Sequence, residues 1–165
     1  MFDITLKVTR DDTAKLKRSL AQLASKEVLV GFPESGEQRD DPAQSNAYLA
    51  WLNDVGSPAQ GIPARPFMEP GVESAEAGIV QGFEDAAKAA LDSNPAAMDM
   101  GFHKAGLAAQ VGIKNVIVQG VPPPLAASTL ANRRSRGIRS TTPLLASRQM
   151  FNAVQYVVVP KKPPR

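Results

Sequence analysis

A stretch of about fifty residues, Pro70 to Val118, reads as two helices broken at Asn94-Pro95, and short β-branched runs stand on either side of it. No other feature constrains the fold as much. In the first helix, Pro70 to about Ser93, the residues Val72, Ala75, Ile79, Phe83, Ala86 and Ala90 form an apolar stripe. Glu73, Glu76, Glu84, Asp85 and Lys88 lie largely off it. The second helix, from about Ala96 to Val118, has Met100, Leu107 and Val111 one to two turns apart. Its Gly101, Gly106 and Gly112 each cost about 1 kcal/mol of helix propensity relative to Ala. They point instead to the close approach of another helix. The β-branched end, Asn115 to Gln119, is expected to fray or become extended.

The flanking runs supply strands. Phe2 to Thr9 alternates apolar and polar residues, Lys26 to Phe32 centres on Val28, Leu29 and Val30, and Val154 to Val159 is strongly β-branched. Between the first two, Asp11 or Asp12 can cap a helix with Leu16, Leu20 and Leu23 on one face. Such a strand, helix and strand make either a crossover unit or the edge of a small mixed sheet. The expected fold class is therefore α+β: a small, mainly antiparallel sheet of Phe2–Thr9, Lys26–Phe32 and Val154–Val159, packed by two or more helices, with long extended loops. At 165 residues the chain suits a single domain over 1–159, followed by a basic proline-rich tail over 160–165.

Three connecting segments matter. Pro33 to Ser45 carries Glu34, Glu37, Asp40 and Asp41 without a hydrophobic period and reads as an acidic loop. A short helix capped by Ser45 or Asn46 presents Tyr48, Trp51, Leu52 and Val55, ends at Gly56 and cannot resume at Pro58. Gly61 to Met68 has prolines bracketing Ala64-Arg65, so it is extended and rigid. Gly120 to Pro143 combines Pro122-Pro123-Pro124 with Arg133, Arg134, Arg136 and Arg139 and few large apolar residues, and reads as a long loop. A short helix is expected within Pro143 to Asn152.

Charge is unevenly distributed. All sixteen acidic residues lie at or before Asp99, together with nine basic ones, while ten basic residues follow, giving net charges of −7 and +10 for the two parts. Contact with nucleic acid, or head-to-tail self-assembly of a basic side on an acidic one, would account for this. Basic solvated loops would do so too.

Much chemistry is excluded. There is no cysteine, hence no disulfide, thiolate metal site or cysteine nucleophile. The single histidine, His103, has only Asp99 near it at a metal-binding spacing. No phosphate-binding glycine loop, dinucleotide fingerprint or serine nucleophile elbow is present, and Asp40-Asp41 and Glu84-Asp85 are adjacent pairs that do not converge. No enzyme, metal or cofactor is expected, nor a signal peptide or membrane span. The four clustered arginines suit phosphate and carboxylate equally. They lack the interleaved aromatics of single-strand binding and any helix–turn–helix context.

The order of motifs resembles the neck and tail-completion proteins of tailed bacteriophages. An aromatic-containing helix ending at Gly56 is followed by Ile62-Pro63-Ala64-Arg65-Pro66-Phe67-Met68-Glu69-Pro70 and a long helix. Pro123-Pro124-Leu125, Thr129, Arg133, Thr142-Pro143-Leu144, Asn152 and Tyr156-Val157-Val158 then stand where that family carries its second group of motifs. One departure is Ala146-Ser147-Arg148, where the family often has an Asp-Thr-Gly turn. The resemblance implies a non-enzymatic virion protein, assembled in the host cytoplasm. It forms a ring, hexameric or alternatively dodecameric, between the head connector or stopper and the tail-tube proteins, with genomic DNA crossing the lumen. The expected interface or DNA-facing residues are Arg65, Phe67, Arg133, Arg134, Arg136 and Arg139. The alternative is a nucleic-acid-binding protein using the Arg133–Arg139 loop. In the ring reading, Gly120–Pro143 and Pro33–Ser45 are poorly ordered in an isolated subunit and pair across the subunit boundary, arginines against Glu34, Glu37, Asp40 and Asp41. Apolar burial, including Leu125 and Leu130, supplies the affinity.

Overall fold

The computed structural model describes residues 12–33 and 45–162. The strand expected over Phe2–Thr9, nearly all of the acidic loop and the last three residues of the basic tail lie outside them. The elements run α1 (Thr13–Ala24), β1 (Lys26–Gly31), α2 (Asn46–Val55), a 3-10 turn (Pro58–Gln60), α3 (Met68–Ser74), α4 (Glu76–Leu91), α5 (Pro95–Gln119), α6 (Ala127–Ser135), α7 (Gln149–Ala153) and β2 (Gln155–Pro160). The chain is an α+β fold. Its two described strands pair antiparallel, with Lys26 opposite Pro160 and Gly31 opposite Gln155. The C-terminal strand thus returns to the strand that follows α1, and each six-residue run gains the ladder partner it needs.

Helix α5 is the spine. Its 25 residues span about 37 Å at 1.5 Å per residue. Asn94 caps it, its side-chain oxygen accepting from Ala97 N at 3.0 Å, and Pro95 occupies the first turn, where its missing N–H costs nothing. The β-branched end neither frays nor extends: the helix continues through Gln119, because Ile113 and Ile117 are wholly buried against the rest of the core. That burial outweighs a weak local preference.

The α4–α5 contact is made by glycine and alanine. A Cβ on Gly82 would stand 2.5 Å from Ala105 N, and one on Gly101 2.5 Å from Ala86 N. Further along, Gly71 of α3 meets Ile113 and Gly112 meets Ala75. The glycines of α5 therefore admit another helix, as their positions suggest. The large residues of α5 lie on the other side. Met100, Leu107 and Val111 are 69%, 52% and 46% exposed, while the small residues Gly101, Ala105, Ala109 and Gly112 face inward. Large side chains there would hold the backbones apart, so the small-residue face becomes the core. Similarly, α1 leaves Leu16 and Leu20 about half exposed and seats on α4 through Ser19, whose buried hydroxyl donates to Ala90 O at 2.7 Å.

On its other side α5 carries the sheet. Gly106 lies beneath the Tyr156 ring, His103 meets that ring edge-on, and Gln110 donates to Val154 O at 2.8 Å. Lys26 of β1 pairs with Asp99 of α5. Two apolar clusters result. Ala86, Ala90, Met98 and Phe102 fill the end where α5 begins. Phe67, Ile113, Ile117, Val121, Met150 and Val154 fill the end where it finishes, and α2 and α7 close over that end.

Two helix boundaries differ from expectation. The helix expected from Pro70 is two helices, α3 and α4, meeting at Ala75. Gly120–Pro143 is not a loop throughout, since α6 forms inside it. Helix α6 ends in a full Schellman motif: Gly137 has φ +72°, Ile138 N donates to Arg133 O at 2.9 Å and Gly137 N donates to Arg134 O at 3.0 Å.

An exposed helical Gly→Ala change stabilises by about 1 kcal/mol. Gly82→Ala and Gly101→Ala should do the opposite, because the added methyl must push α4 and α5 apart, and should cost about 1–3 kcal/mol. Thermal unfolding followed by circular dichroism checks the sign; a raised Tm for either variant contradicts the packing described.

Candidate functional site

The end of α2 builds the first wall of a groove. Gly56, at φ +80°, ends the helix; a Cβ there would stand 2.6 Å from Ala64 N, so only glycine lets the chain double back. Ser57 pairs with Ile62 across a tight turn over Pro58–Gln60, closed by Gly61 at φ +65°. The proline-bracketed segment then runs back along α2. Arg65 N donates to Asn53 O at 2.7 Å, and Asp54 Oδ1 accepts from Phe67 N at 2.8 Å and Met68 N at 3.1 Å. Asp54 therefore anchors the start of α3 with a charge suited to a helix N-terminus.

This geometry separates two residues that the sequence places together. Phe67 was expected at an interface, but it is fully buried, edge-to-face with Phe32 at 6.3 Å. The Asp54 bonds turn its side chain into the cluster around Ile113. Arg65, on the opposite side of Pro66, points toward the 122–126 segment. Its Nε donates to Pro123 O at 2.9 Å and its Nη2 to Pro124 O at 3.3 Å. It is 6% exposed, the one charged residue buried among those described.

The second wall comes from Pro124–Ala126, α6 and the segment Pro143–Ser147. Arg133 does not face outward from a flexible loop. Its Nη1 donates to Ser140 O at 2.8 Å and Thr142 O at 2.9 Å, which folds the chain after Gly137 back against α6. Leu144 sits there at φ +65°, a left-handed conformation unusual for leucine. The region expected to be poorly ordered in an isolated subunit is thus a helix with its return strap pinned by one guanidinium. Arg134, Arg136 and Arg139 are exposed and make no side-chain hydrogen bond or ion pair among the described residues. The four arginines therefore divide into one that faces the groove and three that face solvent.

Between the walls lies a groove of about 910 Å³. Leu49, Ile62, Leu125, Leu144 and Met150 give it apolar sides, and Arg65 and Arg133 are its only charged lining residues among those described. No carboxylate of the described residues lines it. Burial, and secondarily the nearby Arg65 guanidinium, hold the Arg133 pKa below the usual arginine value. Arg133 remains charged at neutral pH. Two cations brought together, with carbonyl oxygens as their partners among the described residues, suit an anion with an apolar body. Leu125 was expected in intersubunit burial and is part of this lining, half-buried; Leu130 is also half-buried but is not part of it.

Elsewhere, no group of three His, Cys, Asp or Glu among the described residues converges as metal ligands would. No described helix is long and apolar enough to cross a membrane. Sequence reading missed Asp54 altogether. Its one signal is position: a carboxylate in the last turn of a helix, where a cation is favoured, implies a local donor.

Asp54→Ala removes an acceptor from two backbone N–H groups and should destabilise the chain by about 1–2 kcal/mol, whereas Asp54→Asn keeps an acceptor and should recover most of that loss. Denaturant unfolding measures both. Equal losses for the two variants would show that Asp54 acts by charge alone.

No protein-family model, curated protein or solved structure matches this chain.

Proposed function

We propose that this chain is a structural protein of the neck of a tailed phage, a non-enzymatic ring subunit that joins the head connector or stopper to the tail and completes the tail end. The supporting observation is spatial. Parts of the two groups of motifs that carry the resemblance, Ile62–Arg65 and Pro124–Leu144, lie more than fifty residues apart in sequence yet build opposite walls of one groove, joined by Arg65 and the carbonyls of Pro123 and Pro124. Phe67 belongs instead to the core and Tyr156–Val158 to the sheet. A groove built from both ends of the chain's motif order suits a docking surface.

A ring subunit needs a self-contained fold and surfaces that its neighbours cover. Met100, Leu107, Val111 and Val118 repeat at helical spacing along α5 and are all exposed, an apolar line about 27 Å long by helix geometry. Tyr48, Trp51 and Val55 do the same on α2. Arg134, Arg136 and Arg139 supply a cationic edge that suits either DNA in the lumen or an acidic neighbour. Those three residues also carry the alternative, a free nucleic-acid-binding protein.

Retention on purified connectors or tails, compared with gel shift on duplex DNA at about 0.15 M salt, tests the reading. A neck protein is retained on the assembly and indifferent to DNA, and particles imaged with it bound show a hexameric or dodecameric ring. Tight DNA binding by a monomer that no connector or tail retains would replace the proposal with its alternative.

A further inference from the structure

We propose that the groove between α2 and α6 receives the acidic segment Glu34–Asp41 of a second copy of this chain, with Arg65 and Arg133 as the partners of its carboxylates. The inference rests on the ring reading and names the contact that would hold neighbouring subunits in register.

Three observations carry it. First, among the described residues the groove gathers two guanidinium groups and no carboxylate. Arg65 is almost entirely buried, and neither it nor Arg133 forms an ion pair among the described residues. Arg65 spends Nε and one bond of Nη2 on carbonyls, and Arg133 spends only Nη1, so Nη1 of Arg65 and Nε and Nη2 of Arg133 remain as donors without a described acceptor. A buried cation gains most from a carboxylate that brings its own charge-assisted hydrogen bonds.

Second, the walls are apolar. A nucleic-acid backbone would bring phosphates and sugars to a cleft lined by Leu49, Ile62, Leu125, Leu144 and Met150, where it could bury little apolar surface. A peptide supplies carbon stems and carboxylates together. The groove is within the range of volumes that enclose ligands of a few residues.

Third, the chain contains the complementary charge. All its acidic residues lie at or before Asp99, and Glu34, Glu37, Asp40 and Asp41 place four carboxylates within eight residues, its densest acidic stretch. A basic groove and an acidic segment on one subunit make a head-to-tail contact that repeats around a closed ring. The apolar walls set the affinity and the two arginines set the register.

The natural absence of cysteine makes this testable by disulfide trapping. Gln38→Cys places a thiol in the acidic segment, Thr129→Cys one on the groove and Ala96→Cys one at the far end of α5. Mixed under mild oxidation, the Gln38 and Thr129 variants should give a linked dimer, and the Gln38 and Ala96 variants much less. Adding Arg133→Gln to the Thr129→Cys chain should lower the yield about tenfold, the loss expected for a charge-assisted hydrogen bond. Glu37→Gln with Asp40→Asn and Asp41→Asn in the other chain should lower it similarly while leaving the groove intact. The proposal is overturned by no linkage, by linkage as efficient to Ala96→Cys, or by yields that ignore both charge changes. A link that forms only within a double Gln38→Cys, Thr129→Cys chain would assign the groove to the chain's own segment. Loss of the link to added duplex DNA, with Arg133-dependent DNA binding, would assign it to phosphate. Retention of the unlinked protein on connectors or tails separates failure of this contact from failure of the ring reading.

Discussion

At Gly82 and Gly101 the backbones of α4 and α5 approach so closely that not even a methyl fits, and the remaining elements depend on that approach. Gly82 against Ala105 and Gly101 against Ala86 fix the pair along one half of α5, and Gly71 against Ile113 carries the same contact into α3. Each small residue buries little apolar area. Their value is collective, because interlocked backbones make many dispersion contacts and leave little room to slide. The position of α3 fixes Phe67, its N-cap, in the core; Asp54 then ties that point to the end of α2. Arg65 is placed at the groove by the same chain of contacts. A device that looks like a concession in helix propensity thus sets the geometry of the site.

The opposite side of that arrangement is exposure. With small residues turned inward, Met100, Leu107, Val111 and Val118 are left in a line on the outer face of α5. Apolar line, cationic edge and arginine-lined groove are three different kinds of surface on one small domain. The proposed neck subunit, meeting copies of itself and two other proteins, would have use for each of them.

Some of this was legible in the sequence. The strands Lys26–Phe32 and Val154–Val159 show themselves by β-branching, and their pairing follows because neither is stable alone. Gly56 and Asn94-Pro95 mark helix ends through local stereochemistry. Facing was harder to read. Periodicity in α5 identifies a helix, but both its large-residue and its small-residue stripes have the right period, and only the partner helix decides which is buried. Helix α6 escaped notice because it has one apolar residue of any size, half-buried Leu130, although Gly137 marked its end. Phe67 and Arg65 were grouped as surface residues because they share a motif. A strictly extended chain would send both to one side, being two positions apart. They part because Phe67 leaves the extended path as the N-cap of α3, held by Asp54, while Arg65 is drawn to the carbonyls of Pro123 and Pro124. The convergence of Arg65 with Arg133 has no sequence signal at all, since the two stand 68 positions apart.

The central claim is that the arginine-lined groove is a subunit contact in an assembled neck. A density map of the ring, from electron microscopy at a resolution that shows side chains, tests it most directly. The account predicts an extended segment of the neighbouring subunit in the groove, with a carboxylate within hydrogen-bonding distance of Arg65 and Arg133. A ring in which the groove is open to the lumen, with those two guanidiniums facing DNA or solvent and no neighbouring chain between the walls, would contradict it.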